Sequence, residues 1–347
     1  MKNFANAHVH VKANDINSAK SFLDELVRIG VTHIGLHGLT EMFGTPRNLA
    51  TLYWKKNYKK LDIFAFGSLH LTDIYKDIPL EAQAEKLLEM GFDGIKLIDM
   101  KPTVRKASGR GINHPCYDKM FDMLEEREIP VLMHVNDPEE FWDADKINPD
   151  FIKRGWFYGD GTYPSYQDIY NETFAVLDRH KNLNVILAHF FFLGNNLDEA
   201  RRVLDTYPKV RFDLTPYRDL YLKISDAPEK WHDFFEEYSD RILFGTDGAD
   251  NSTETEGLHN LVNYCLTRNT DEYEMPTKPG YKNRGIYLSK DAYQKIIFGN
   301  FQKFMGEKPK PVNEEMLKKA IIKMTDDFKK DGSFPEYVFY LEELLKK

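Results

Sequence analysis

Eight short runs rich in Val, Ile, Leu and Phe punctuate the first 250 residues, each followed by an amphipathic stretch. They are Phe4 to Val11, Val31 to His37, Asp62 to His70, Gly94 to Ile98, Pro130 to Val135, Asn184 to Phe190, Val210 to Leu214 and Ile242 to Thr246. Between them lie helical patterns at Ser18 to Ile29, Leu80 to Met90, Tyr117 to Arg127, Tyr166 to His180, Leu197 to Thr206 and Glu229 to Tyr238. Short apolar runs alternating with helical periodicity are the mark of repeated βα units. Eight units fit a closed parallel (β/α)8 barrel better than an open doubly wound sheet. No Gly-rich phosphate fingerprint follows any run, which argues against a nucleotide-binding fold.

Two stretches depart from the repeat. Residues Asn136 to Pro164, after the fifth run, are aromatic and Gly-rich, and loops of that length inside a compact domain usually carry function. A second loop region, Gly248 to Tyr287, precedes helices that run from Lys290 to the C-terminus. The expected organisation is one (β/α)8 domain over residues 1–347. Its core covers about residues 4–306, and the C-terminal helices, about residues 307–347, pack on it.

Composition narrows the class. Of 347 residues, 47 are basic and 55 acidic, for a formal charge of -8, and no cationic stripe of the kind that nucleic acid requires is present. Cys116 and Cys265 stand far apart, in no metal-type or redox pairing. No run reaches the length of a membrane span, and Met1 to Val11 passes straight into a strand pattern with no secretory signature. These features lead to the expectation of a soluble cytoplasmic protein.

Polar residues that end apolar strands are the candidates for chemistry, because an unpaired buried His or Asp costs several kcal/mol. His8 and His10 lie two apart on the first run, so strand periodicity aims both imidazoles to one side. His134 ends PVLMHV, His189 ends NVILAH and Asp247 follows RILFGT. In a barrel all five gather at the C-terminal face, where the active sites of this architecture lie. Three or four imidazoles with one carboxylate suit Zn2+ first, with Mn2+ or Fe2+ fitting the same donors. A ligand set with an open position acidifies bound water, and Asp247 could accept its proton and pass it to a leaving group.

The segments NAHVHV, GFDGIKL, IPVLMHVNDPEEF, GWFYGDGTYPSYQDIYNETFAVLDRHKNLNVILAHF, DRILFGTD and FGNFQKFMG together resemble the amidohydrolase superfamily. They are most similar to its TIM-barrel branch that includes aminocarboxymuconate semialdehyde decarboxylase, and the resemblance spans roughly residues 4–306. It implies His8, His10, His134 and Asp247 as ligands of one divalent metal, with His189 as a polarising or acid-base residue. Lys96, in GIKLID, occupies the context in which binuclear relatives carry a carboxylated lysine. The matching branch implies an unmodified lysine and one metal. A homodimer is also implied.

Further residues fall within plausible reach of the same mouth. His37 and His70 end the second and third runs, where an ordinary hydrogen-bonded histidine explains either one about as well as pocket lining does. Lys101, Arg105, Lys106 and Arg110 follow the fourth run and could hold an anionic substrate, although a charge run in a loop is usually a solvated face. Trp142, Trp156, Phe157, Tyr158 and Tyr163 on the fifth loop form a substrate wall or simply pack that loop down. Tyr217 and Arg218 follow the seventh run, where an arginine could clamp a carboxylate. The substrate-contacting set is therefore Lys96, His70, Arg110, Trp156, Tyr217 and Arg218.

The leading expectation is hydrolysis of a small-molecule lactone, ester or amide by metal-activated water. Non-oxidative decarboxylation of a small carboxylic acid is the alternative, since the resemblance includes decarboxylases with the same ligand set. A non-catalytic metal or small-molecule binder is a third reading, which the presence of both Asp247 and His189 opposes, because a binder has no need of a proton shuttle.

Overall fold

A computed structural model describes residues 3–13, 15–39, 46–70, 78–250, 252–268, 272–274 and 282–346. Its strands are β1 (Phe4–His10), β2 (Val31–His37), β3 (Asp62–Ser68), β4 (Gly94–Met100), β5 (Val131–Val135), β6 (Val185–Leu187), β7 (Val210–Asp213), β8 (Ile242–Leu243) and β9 (Gly248–Ala249). They line up β8-β7-β6-β5-β4-β3-β2-β1-β9, and every pairing in this sheet is parallel.

The ninth strand is the far half of the eighth. Ile242 pairs with Phe212 of β7, whereas Gly248 pairs with Val9 of β1. Between them the Ala7 amide donates to the Phe244 carbonyl at 2.8 Å, and the Asp247 amide donates to the His8 carbonyl at 2.8 Å. These bonds join the last strand to the first, so the architecture is a TIM barrel. The expected eighth strand, Ile242 to Thr246, is thus broken, and the break ends at Asp247 with φ of 53°.

Strand β1 explains how two histidines come to face the interior. Ala5 and Ala7 pack in the barrel's inner cluster with Phe64, Phe66, Leu132, Ile186 and Leu243, while Val9 and Val11 pack in the outer core under the helices. Strict alternation from Ala7 would send His8 outward. The pairing with β2 shifts between Asn6 and Val9, and such a bulge exchanges the two faces of a strand. His8 and His10 therefore turn inward above the alanines. Phe301 and Phe304, from the helix Asn300–Met305, complete the inner cluster.

The C-terminal helices Glu314–Asp331 and Pro335–Lys346 pack beside Pro46–Asn57, with Trp54 Nε1 donating to the Tyr340 hydroxyl at 3.3 Å. The preceding segment crosses Gly91, where a Cβ would lie 2.5 Å from the Pro311 carbonyl oxygen and where φ is 105°. Only glycine fits that crossing. The fifth loop has structure of its own: a 3-10 turn at Glu139–Trp142, a short helix at Pro149–Lys153, and an apolar cluster of Phe141, Ile147 and Tyr158 under Trp142, Trp156 and Tyr163. Among the described residues no helix is long and apolar enough to cross a membrane.

Candidate active site

The strand ends bring His8, His10 and Asp247 together, with one donor atom of each within 4.8 Å of the others. His10 Nε2 lies 2.8 Å and His8 Nε2 3.5 Å from Asp247 Oδ1. The other carboxylate oxygen, Oδ2, is 3.9 Å from His189 Nε2. Asp247 thus spans the two groups, and its side chain remains 40% exposed where the histidines are nearly closed off. His134 stands outside the tight cluster, its ring centred 4.9 Å from that of His189.

Each inward nitrogen of the first strand is backed by a partner on the opposite side of its ring. His8 Nδ1 meets Asp213 Oδ2 at 2.9 Å, and His10 Nδ1 meets the His37 carbonyl at 3.1 Å. Those contacts fix each ring so that Nε2 faces the cluster, as second-layer partners of metal-bound imidazoles do. Burial, reinforced by Lys96 and the neighbouring imidazoles, pushes His8 well below the ordinary imidazole value. Burial also lowers His10, against the pull of Asp247. Both rings are therefore neutral near pH 7, with lone pairs available. Burial would raise Asp247, but at the acid pH where the imidazoles are protonated the His10 hydrogen bond and the charges of His10, His189 and Lys96 hold it far below the usual carboxylate range. Two neutral imidazoles and a carboxylate converging at this range fit a divalent cation.

Lys96 is buried, its Nζ 3.0 Å from His8 Nε2. Burial pushes it down to about 8, opposed by Asp247 and Asp213. It belongs to the site. On the other side, His134 Nε2 approaches Asp137 Oδ1 at 3.4 Å without the alignment of a hydrogen bond, and finds no other hydrogen-bond partner among the described residues. Asp137 is held by Lys101 at 3.0 Å and by the Tyr158 hydroxyl at 2.7 Å.

His189 begins a turn of unusual hand. Residues His189 to Phe192 all have φ between 52° and 56°. The turn is pinned by the His189 amide, which donates to Asp213 Oδ1 at 2.7 Å, and by Phe191 O, which accepts from the Tyr170 hydroxyl at 2.8 Å. Phe192 doubles back to stack on His189, with ring centroids 5.1 Å apart. The expected strand over Asn184 to Phe190 therefore stops at Leu187.

The remaining substrate-contact candidates separate. Trp156 takes the Lys101 ammonium over its face at 4.9 Å, and Tyr217, ring against Phe192, accepts the Gly194 amide on its hydroxyl. Arg110 points at Cys116 Sγ, 3.7 Å away. His70 is partly buried at the end of β3, and burial pushes it down to about 4. Arg218 opens the helix Arg218–Asp226, but its side chain lies outside the described residues. The sequence reading left out Asp213, Thr215 and Asp137. Asp213 ends VRFD as Asp247 follows RILFGT, so the rule that found the other polar strand ends would have found it.

Comparison with known proteins fits this geometry. A solved amidohydrolase from Burkholderia multivorans with bound zinc is 12% identical, covering 87% of this chain and 98% of its own, with a TM-score of 0.54. 4-Oxalomesaconate hydratase from Rhodopseudomonas palustris is 12% identical over 94% and 99%, with a TM-score of 0.53. 2,6-Dihydroxybenzoate decarboxylase is 14% identical over 88% and 100%, also with a TM-score of 0.53. At such identities these likenesses show the barrel fold alone. A curated relative, a pre-mRNA-splicing ATP-dependent RNA helicase of Debaryomyces hansenii, is 22% identical over 326 residues, covering 86% of this chain. This chain spans about half of that protein's length, 54%, and such identity carries no family assignment. The amidohydrolase family profile, by contrast, matches residues 48–274, well over half of the chain. With that match laid over a closed barrel and its histidine and aspartate strand ends, this chain is an enzyme of the amidohydrolase family.

Proposed function

We propose that this enzyme hydrolyses a small-molecule lactone, ester or amide at one divalent metal, with residues 1–347 acting as one catalytic unit. His8, His10 and Asp247 would hold the metal, with His134 as the further ligand from the opposite wall, and Zn2+ suits these donors best. When bound, such an ion polarises a carbonyl and acidifies water. The observation that carries the reading is the division of labour within Asp247. Oδ1 faces His8 and His10, while Oδ2 faces His189 at 3.9 Å. One carboxylate can thus take a proton beside the metal ligands and deliver it on the His189 side, as general acid-base hydrolysis requires. Lys96 Nζ, beside His8, adds positive charge to the same small volume. Trp156, under the Lys101 ammonium, and Tyr217, with its ring against Phe192, would supply apolar surface to the substrate.

Metal analysis of the purified protein, with hydrolysis of a lactone, ester and amide panel, tests the reading. About one equivalent of metal and turnover lost in Asp247→Asn are expected. Absence of any metal, even after incubation with Zn2+, would overturn it. Release of CO2 from small carboxylic acids with no hydrolysis would replace it by decarboxylation.

A further inference from the structure

Hydrogen bonding around Asp213 determines where protons sit on two histidines, one on β1 and one in the turn after β6. Asp213 Oδ1 faces the His189 amide at 2.7 Å, the Thr215 amide at 3.1 Å and Thr215 Oγ1 at 2.5 Å. Oδ2 faces His8 Nδ1 at 2.9 Å. The two amides can only donate. His8 Nδ1 must donate too, because His8 Nε2 lies 3.0 Å from the Lys96 ammonium, which has protons but no lone pair to offer. A proton on Oδ2 would face the His8 Nδ1–H, and one shared between Oδ1 and the Thr215 hydroxyl would sit on an oxygen whose lone pairs already take the two amide protons, so the carboxylate is ionised and accepts from all its neighbours.

The Thr215 hydroxyl has one proton, and it goes to Asp213. Toward His189 Nδ1, 3.1 Å away, Thr215 Oγ1 is then an acceptor, and Nδ1 must carry the proton. A neutral imidazole protonated at Nδ1 has a bare Nε2. That nitrogen is the one 3.9 Å from Asp247 Oδ2, so two acceptors stand within reach of one shared donor.

We propose that Thr215 is a positioning residue that holds His189 in its Nδ1–H tautomer, anchored on the carboxylate of Asp213 that also orients His8. His189 then meets substrate as a proton acceptor at Nε2. This consequence for turnover rests on the hydrolytic reading above, whereas the tautomer is a property of the protein alone.

Long-range proton–nitrogen correlation spectra of the histidine-labelled full chain, with His189→Asn to assign the signal, test this near neutral pH, where Lys96 keeps its ammonium. The wild type is expected to show a single His189 tautomer, protonated at Nδ1. Thr215→Val should lose that single signature, Thr215→Ser should restore it, and metal content should stay at the wild-type level in both. A wild type protonated at Nε2 overturns the proposal without any variant, and so does a Thr215→Val protein with the wild-type pattern. Failure of the hydrolytic reading is distinguishable, because it would leave the tautomer pattern intact in a protein that hydrolyses nothing on the panel.

Discussion

The two walls of the site are built differently. On the wall made by β1, β7 and the end of the barrel, His8 and His10 are backed by Asp213 and a main-chain carbonyl, and His189 is tied to Asp213 through Thr215. On the wall made by β5, His134 Nε2 has no aligned hydrogen bond among the described residues and approaches Asp137 at 3.4 Å, and Asp137 is bound to Tyr158 of the fifth loop and to Lys101. The first wall is set by strands closed into a barrel. The second depends on a loop with its own small apolar cluster. Rigid histidines on one side and a loop-supported histidine on the other separate the tasks of holding an ion and adapting to substrate.

The largest expected effect is on the first wall. Asp247→Asn should lower kcat by about 10²- to 10⁴-fold, measured on whichever substrate the panel identifies, because it removes the group placed to move protons. A loss of only a few-fold would break the assignment of roles. Next, Asp213→Ala should weaken Zn2+ binding by about 10- to 100-fold in chelator competition, the usual effect of removing a partner behind a metal-bound imidazole. Asp137→Ala should weaken it less. Equal losses would erase the distinction between the walls.

Acid sensitivity needs a reference outside both walls, and His259 provides one. It sits between the rings of Phe4 and Phe244, and burial pushes it from the ordinary 6.5 down to about 4. Since the folded value is the lower one, the unfolded chain takes up the proton first as pH falls. Its contribution is intact above the unfolded value and is lost between 6.5 and 4, to the extent of about 3 kcal/mol. His259→Phe should flatten that part of the stability profile in denaturant titrations at stepped pH. The smallest effect is expected on the second wall, where Tyr158→Phe removes one hydrogen bond to a charged carboxylate and should cost about 2 kcal/mol in thermal or denaturant unfolding. Metal content unchanged in that variant would sharpen the contrast, whereas lost metal would merge the two walls.

Much of this was legible in the sequence because the barrel repeats one pattern. Val31–His37, Leu80–Met90 and Leu197–Thr206 match their expected bounds, and the other expected strands and helices differ at their ends. The polar strand ends His8, His10 and Asp247 stood out against apolar runs and do converge. What escaped were features with no local signature. The β1 bulge depends on pairing with β2, and alternation alone could not show that His8 changes face. The broken eighth strand depends on partners at two sheet edges that meet only when the barrel closes. Arg110 escaped for a different reason, since its position after β4 said nothing of the Cys116 thiol that takes it.

The turn from His189 to Phe192 winds in the mirror sense of an ordinary helix, in residues that have a Cβ, and that handedness costs roughly 1–2 kcal/mol per residue. Phe190 lies among Phe212, Trp231 and Phe235, and Phe191 against Tyr170 and Phe174. The outer aromatic core therefore acts as a mould, and the attitude of the His189 ring is a cast taken from it. An enzyme shaped this way has a second border to its active site, drawn through tightly packed phenylalanines that no substrate touches. Heat or a cavity that loosens the mould would silence the site while the barrel still stands.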